Sequence, residues 1–206
     1  FSGGKDSCVI KALADMAGVK YEAHYHVTTV DPPELVYFIR EHHPDVIFGH
    51  PKKTMWQLIV KKGMPPTRLV RYCCQVLKEG NGVGRVVVTG VRWAESAQRK
   101  KNKGLVNIGT KKYQVVLNDD NDESRRQVEH CYRTQTTMVN PIIDWLDEDV
   151  WEFIRENKLP YCCLYDEGFK RLGCIGCPLG GADSMNREFT RWPKYREAYV
   201  RAFDKA

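Results

Sequence analysis

The sequence predicts an α/β fold: a doubly wound, mostly parallel sheet with helices on both faces. Three observations predict it. Short β-branched runs alternate with amphipathic helical stretches along 206 residues, the pattern of repeated βα units. The chain opens on a glycine-rich turn, Ser2-Gly3-Gly4-Lys5-Asp6-Ser7, that runs straight into a helical stretch beginning Cys8-Val9-Ile10. A second glycine- and arginine-bearing turn follows the best predicted strand, and open α/β sheets hold ligands beyond the carboxyl ends of their strands.

The first helix ends at Gly18, a C′ glycine. Residues 21–30 alternate and read as a strand, broken by Asp31-Pro32-Pro33. Pro33 suits the first position of a helix over 34–43. Residues 45–50 read as a short strand. Thr54 caps a helix over 55–62, closed by Gly63 and the prolines at 65 and 66. Residues 85–92 read as the clearest buried strand, and 100–112 as a polar, basic loop. Strands are expected over 113–117 and 133–139, around an acidic segment at 118–126. Asp147 is expected to cap a helix to Lys158 with Val150, Trp151 and Ile154 inward, and Pro193 to start a last helix over 194–204. With no internal repeat and no low-complexity linker, residues 1–206 read as one domain. Only Phe1 precedes the opening turn, so its feeding strand, the first and central one, is expected upstream.

The chain carries a net charge of +6, which suits an anionic ligand but is too small to argue for nucleic acid alone. No apolar run approaches the roughly 20 residues of a membrane span, and no signal peptide is visible. Of eight cysteines, six fall in vicinal and C-x-x-C pairs, with Cys8 and Cys131 alone; without a secretory segment, this points to metal or redox chemistry in a reducing cytoplasm rather than to a disulfide scaffold.

The opening turn suits a phosphate or sulfate. Gly3 and Gly4 allow close backbone approach, a helix start attracts anions, Ser2 and Ser7 add hydroxyls, and Lys5 adds a point charge. The Walker spacing is absent. After the strand at 85–92, Arg92 and Arg99 could grip an anion bidentately, Gly90 would let it lie on the backbone, and Ser96 could donate to it. A solvated basic turn is the alternative. Asp31 could bind ribose hydroxyls or simply form its turn. Cys73-Cys74 and Cys174-x-x-Cys177 supply four thiols, enough for a [4Fe–4S] cluster. Zinc is a second possibility, which adjacent cysteines fit poorly, and unmetallated thiols a third. Cys162 and Cys163 read as buried packing residues, with substitute ligands or reactive thiols as alternatives. Cys8 and Cys131 read as core. The six histidines form no metal-binding spacing.

Taken in order, these motifs resemble the phosphoadenosine phosphosulfate (PAPS) reductase family of the PP-loop, adenine nucleotide α-hydrolase-like superfamily. The matching pieces are residues 2–7, Asp31-Pro32-Pro33-Glu34, Arg71-Tyr72-Cys73-Cys74 with Lys78, Gly90-x-Arg92-x-x-Glu95-Ser96-x-x-Arg99, Asn140-Pro141-Ile142-x-Asp144-Trp145 with Asp149-Val150-Trp151, and Leu159-Pro160-Tyr161 through Cys174-x-x-Cys177. The resemblance implies that residues 2–7, with Arg92, Ser96 and Arg99, bind the anionic end of an adenylyl nucleotide: adenylyl sulfate (APS), PAPS, or ATP with Mg²⁺. It implies that Cys73, Cys74, Cys174 and Cys177 hold the cluster of the APS reductase branch, and that a thioredoxin-like protein is the reductant. Two departures stand against it. The Glu-Cys-Gly-x-His tail carrying the family's nucleophilic cysteine is not in residues 1–206, and Cys162-Cys163 replaces an Asn-Pro-like pair. The alternative is an ATP-dependent PP-loop sulfurtransferase of the nucleic-acid thiolation or DNA phosphorothioation type.

Overall fold

A computed structural model describes residues 1–78, 85–109, 114–118 and 137–206. In chain order the elements are α1 (Lys5–Met16), β1 (His24–His26), α2 (Pro33–His42), β2 (Ile47–Gly49), α3 (Met55–Lys62), α4 (Tyr72–Leu77), β3 (Val86–Val88), α5 (Ala97–Asn102), β4 (Val106–Gly109), β5 (Gln114–Leu117), β6 (Thr137–Val139), α6 (Asp147–Glu156), α7 (Gly181–Arg191) and α8 (Pro193–Phe203). They group into two units. The first comprises Phe1–Gly4, Glu22–Gly80 and Tyr161–Ala206; the second comprises Lys5–Tyr21 and Asn81–Pro160.

In the first unit β1 and β2 pair in parallel, His24 opposite Ile47, with α2 connecting them. Pro33 stands in the first turn of α2, where its missing N–H costs nothing. α3 begins as its sequence demands. The Thr54 hydroxyl accepts from the Gln57 N–H at 3.3 Å, and the Gln57 side chain accepts from the Thr54 N–H at 2.9 Å, a complete capping box. Gly63 closes it in the left-handed region, φ 63°. The apolar face of α3 (Met55, Leu58, Ile59) packs with Val30, Tyr72, Leu77, Tyr199 and Ala202.

The second unit holds a four-stranded sheet in the order β3-β6-β4-β5. β3 and β6 run parallel, whereas β4 is antiparallel to both β5 and β6. Val9 of α1 packs with Ile142, Val150 and Ile154. Asn140, buried behind β6, braces the sheet loops: its amide donates to Gly104 O at 2.7 Å and Asn107 Oδ1 at 3.0 Å, and Thr89 donates to its Oδ1.

Four expectations are corrected. β3 is half exposed rather than buried: Val86 and Val88, on one face of the strand, are 46% and 47% accessible, and among the described residues β3 pairs with β6 alone. Residues 100–112 are not one loop: α5 continues to Asn102, and β4 follows with Val106 and Ile108 buried. Asp147 does not cap α6. Leu146 holds the cap position and its N–H is taken by Asp149 Oδ2 at 2.7 Å, which frees the Asp147 carboxylate for other partners. Residues 21–30 contribute a strand of three residues, because the chain turns at Thr29, φ 67°. The readings of Cys131, of residues 118–126 past 118 and of 133–136 lie outside the described residues. No helix among the described residues is long and apolar enough to cross a membrane.

Thr54→Ala removes the hydroxyl half of the capping box and is expected to lower stability by about 1 kcal/mol, read as an unchanged denaturant slope with a lower midpoint; an unaltered midpoint would contradict the cap.

Candidate functional site

Two buried cations organise the second unit. Lys5, the first residue of α1, and Arg92, after β3, have side chains only 6% and 3% accessible. Charges taken out of water this far persist only when paired. Arg92 Nε donates to Asp6 Oδ1 at 2.7 Å and its Nη2 to Asp147 Oδ1 at 2.8 Å. Lys5 Nζ reaches the same Asp147 oxygen at 2.9 Å and Asp6 Oδ2 at 3.3 Å. Two cations and two carboxylates thus share one hydrogen-bonded cluster. Burial works to raise the Asp147 carboxyl, but hydrogen bonds from Lys5 and Arg92 outweigh it and hold the group below its ordinary value.

The remaining predicted anion-binding residues have local roles that the structure makes explicit. Gly3, φ 72°, sits in the first unit against α2, where an added Cβ would come within 2.7 Å of Leu35 and 2.8 Å of Ile39. Ser2 Oγ lies 3.5 Å from the Gly4 N–H, and Ser7 is half-buried in the first turn of α1. Gly90 packs onto Asp6 and Ile10 of α1. Ser96 caps α5, accepting from the Arg99 N–H at 3.2 Å, and the Arg99 guanidinium pairs with Glu95. Asp31 is buried in its turn and accepts from the Thr28 N–H at 2.6 Å and the Thr28 hydroxyl at 2.7 Å.

The two thiol pairs, about a hundred positions apart in sequence, meet in the first unit. Cys73 and Cys74 occupy the first turn of α4, a helix the sequence reading missed. Burial, then the neighbouring Cys74, pushes the Cys73 thiol up to about 11, with a further contribution from Cys174. Burial likewise raises Cys177, with Cys174 and Cys74 adding to it and Lys78 opposing. Lys78 closes α4 four residues after Cys74. Desolvation of its ammonium works against the charge, yet the hydrogen bond and charge of Cys174, with Asp31 and Cys74, carry its pKa above the ordinary lysine value.

The loop carrying Cys174 and Cys177 is stapled at several points that the sequence did not announce. Cys174 Sγ donates to Thr28 Oγ1 at 3.4 Å, so Thr28 links the thiol to Asp31. The Ile175 N–H donates to Val30 O at 2.8 Å, and Tyr199 donates to Ile175 O at 2.9 Å. Gly176, φ 72°, cannot be replaced without a clash, because a Cβ would stand 2.7 Å from Phe189 and 2.9 Å from Tyr199. Its N–H donates to Glu188 Oε2 at 2.6 Å, while Ser184 donates to Oε1 at 3.0 Å. Burial raises the Glu188 carboxyl against these hydrogen bonds. Among the described residues no three His, Cys, Asp or Glu side chains converge as a single metal ion requires.

Cys8 is core, as expected. The vicinal pair divides: Cys162 is fully buried, and burial pushes its thiol up to about 11, whereas Cys163 is exposed on a 3₁₀ turn, Cys163–Tyr165.

Comparison with solved structures gives the class first. A phosphoadenylyl-sulfate reductase of Candida auris, in a phosphate complex, superposes with a TM-score of 0.50 over 84% of this chain and 78% of its own, at 18% identity. A Candida glabrata FMN adenylyltransferase, with FMN and an ATP analogue, gives 0.50 over 85% and 53%, at 15% identity. At such identities the likeness is one of fold, and the fold is the adenine nucleotide α-hydrolase-like α/β class. The phosphoadenosine phosphosulfate reductase domain matches residues 1–179, and the chain belongs to that family. An uncharacterized protein of Methanocaldococcus jannaschii is 28% identical over 214 residues, all of this chain and 45% of the relative. An adenosine 5′-phosphosulfate reductase of Oceanobacillus iheyensis is 42% identical over 60 residues, 29% of this chain and 25% of that protein. One of Bacillus cereus is 24% identical over 161 residues, 77% and 62%. The chain spans less than two thirds of the length of each of these relatives.

Two outcomes are expected. Glu188→Ala strands the Gly176 N–H and should lower stability by about 1–3 kcal/mol, measured by denaturant unfolding; no loss would dismiss Glu188 as the clamp. For Asp147 the folded-state pKa lies below the unfolded one, so its stabilising contribution is complete above the ordinary carboxylate range and is lost as pH falls through the folded value. Melting temperatures of the wild type should therefore drop more steeply on acidification than those of Asp147→Asn, and parallel curves would contradict the pairing.

Proposed function

We propose that this chain binds the phosphate-bearing end of an adenylyl nucleotide with residues 2–7, Lys5 and Arg92, and serves as a sulfonucleotide-reductase-like enzyme. The observation that carries the proposal is the pair of cations held buried at the start of α1 and just beyond β3, in a chain that matches the reductase domain over residues 1–179. An anion that reaches them meets fixed charges in a water-poor setting, where electrostatic stabilisation is strongest. Ser2, Gly3, Gly4, Asp6 and Ser7 shape the turn, Gly90 exposes backbone after β3, and Ser96 and Arg99 complete the anion contacts. Asp31 shapes the turn proposed for the ribose. The nucleotide is APS, PAPS, or ATP with Mg²⁺.

In sulfonucleotide reduction a thiolate attacks the sulfate sulfur, a thiosulfonate forms and the nucleoside phosphate leaves. A thioredoxin-like dithiol then frees sulfite and regenerates the thiol, becoming a disulfide. No residue of this chain is assigned as that thiolate.

Cys73, Cys74, Cys174 and Cys177 are proposed to hold a [4Fe–4S] cluster. Their chemistry fits: four thiols from two pairs share one neighbourhood with a lysine ammonium among them. A cuboidal cluster takes each thiolate at a different iron, so it does not ask the sulfurs to converge on a single point. The cluster would supply local charge and, in redox chemistry, an electron site. Thr28, Lys78 and Glu188 would hold the ligand loop and balance its charge.

The alternative is an ATP-dependent sulfurtransferase acting on nucleic acid. ATP–pyrophosphate exchange that depends on a nucleic acid would favour it.

Lys5→Ala is expected to weaken AMP and APS binding by about 1.5–3 kcal/mol, the worth of a charge-assisted hydrogen bond, by calorimetry; undiminished affinity would remove Lys5 from the pocket. Anaerobically purified protein should carry iron and sulfide that Cys174→Ala lacks, and full iron retention in the variant would strike Cys174 from the ligand set.

A further inference from the structure

Lys5 and Arg92 are proposed above to grip an anion, yet both already hold one. Asp147 Oδ1 accepts from Lys5 Nζ at 2.9 Å and from Arg92 Nη2 at 2.8 Å. A single carboxylate oxygen thus bridges the two cations, as a bound phosphate oxygen would. The two carboxylates of the cluster differ in how firmly they are held. Asp6 belongs to α1 itself, its side chain is 25% accessible, and Gly90 packs against its Cβ. Asp147 stands in the first turn of α6, its side chain 57% accessible, and Asp149, not Asp147, satisfies the helix cap. Asp147 can therefore leave for water with little loss of packing, whereas Asp6 cannot.

Charge counting points the same way. With Asp6 and Asp147 in place, two positive and two negative charges cancel, which keeps buried cations tolerable while no ligand is present. A phosphate or sulfate arriving with Asp147 still in place would face an excess of negative charge at short range.

We infer that Asp147 is an internal counter-ion that occupies the anion position between Lys5 and Arg92, and that an incoming phosphate or sulfate group must displace it. This inference rests on the anion-binding reading proposed above. It makes Asp147 a residue that sets how tightly, and how selectively, anions are admitted. A multiply charged phosphate that bridges both cations replaces it, and a weak monoanion does not.

The test is calorimetric binding of inorganic pyrophosphate to the wild type, Asp147→Asn, Asp147→Glu and Glu148→Gln. Asp147→Asn keeps the shape and removes the competing charge, so affinity should rise roughly tenfold, the weight of one charge-assisted hydrogen bond no longer contested. Asp147→Glu retains the charge and should stay within a few-fold of wild type. Glu148→Gln removes the adjacent exposed charge of α6 and should change nothing, which separates displacement from general repulsion. Folded Asp147→Asn protein with equal or weaker affinity overturns the inference while leaving the anion site intact. An Asp147→Asn chain that does not fold also overturns it, because a displaceable counter-ion must be dispensable to the fold. If neither wild type nor Asp147→Asn binds pyrophosphate, the anion-site reading itself fails and the inference falls with it.

Discussion

Two positive charges almost out of reach of water are the constraint on which the second unit depends. A lone buried cation would be intolerable, so the chain must deliver carboxylates to Lys5 and Arg92 from elsewhere. It does so from α1 itself, through Asp6, and from the first turn of α6, through Asp147. Asp6 is the firm partner of the two: the 2.7 Å hydrogen bond from Arg92 Nε ties the turn after β3 to α1. Val9, Ile142, Val150 and Ile154 then close the apolar side of the same pair of helices. Burying charge in this way adds little net stability, since desolvation offsets the attraction. Its value lies in presenting fixed, water-poor cations.

The first unit solves a different problem, holding four thiols near one another without a disulfide among them. Backbone does most of this. Ile175 is fastened to Val30 and to Tyr199, and Gly176 to Glu188. Thr28 and Lys78 then address Cys174 directly. Side chains that would otherwise read as ordinary core, such as Tyr199 and Phe189, define how closely the loop must approach and why position 176 has no room for a Cβ.

Local chemistry was legible in the sequence and long-range chemistry was not. Thr54, Gln57 and Gly63 announce both ends of α3 because caps act within four residues, and Pro33 fixes the start of α2 for the same reason. Arg92 and Lys5 stood out as cations in glycine-bearing turns, but the carboxylate joining them comes 55 positions after Arg92, where Asp147 resembles any helix-capping aspartate. β4 escaped notice because its buried centre is Asn107, a polar residue whose Oδ1 accepts from Asn140, so the run lacked an apolar signature. α7 carries few apolar residues and none that is fully buried; Phe189, partly buried against the core, is its main inward anchor. The thiol pairs are legible by their spacing. Glu188 and Thr28 carry no such signal, since only the fold brings them to the loop.

The central claim is that residues 2–7 and the cations beside them hold the phosphate of a nucleotide rather than its base. The most direct measurement compares adenosine with AMP on the same protein by equilibrium binding. The account predicts that AMP binds at least about tenfold more tightly, the contribution of one charge-assisted contact to the phosphate, and that the gap narrows as salt screens the charges. Equal affinities for adenosine and AMP, or a gap indifferent to salt, would contradict it.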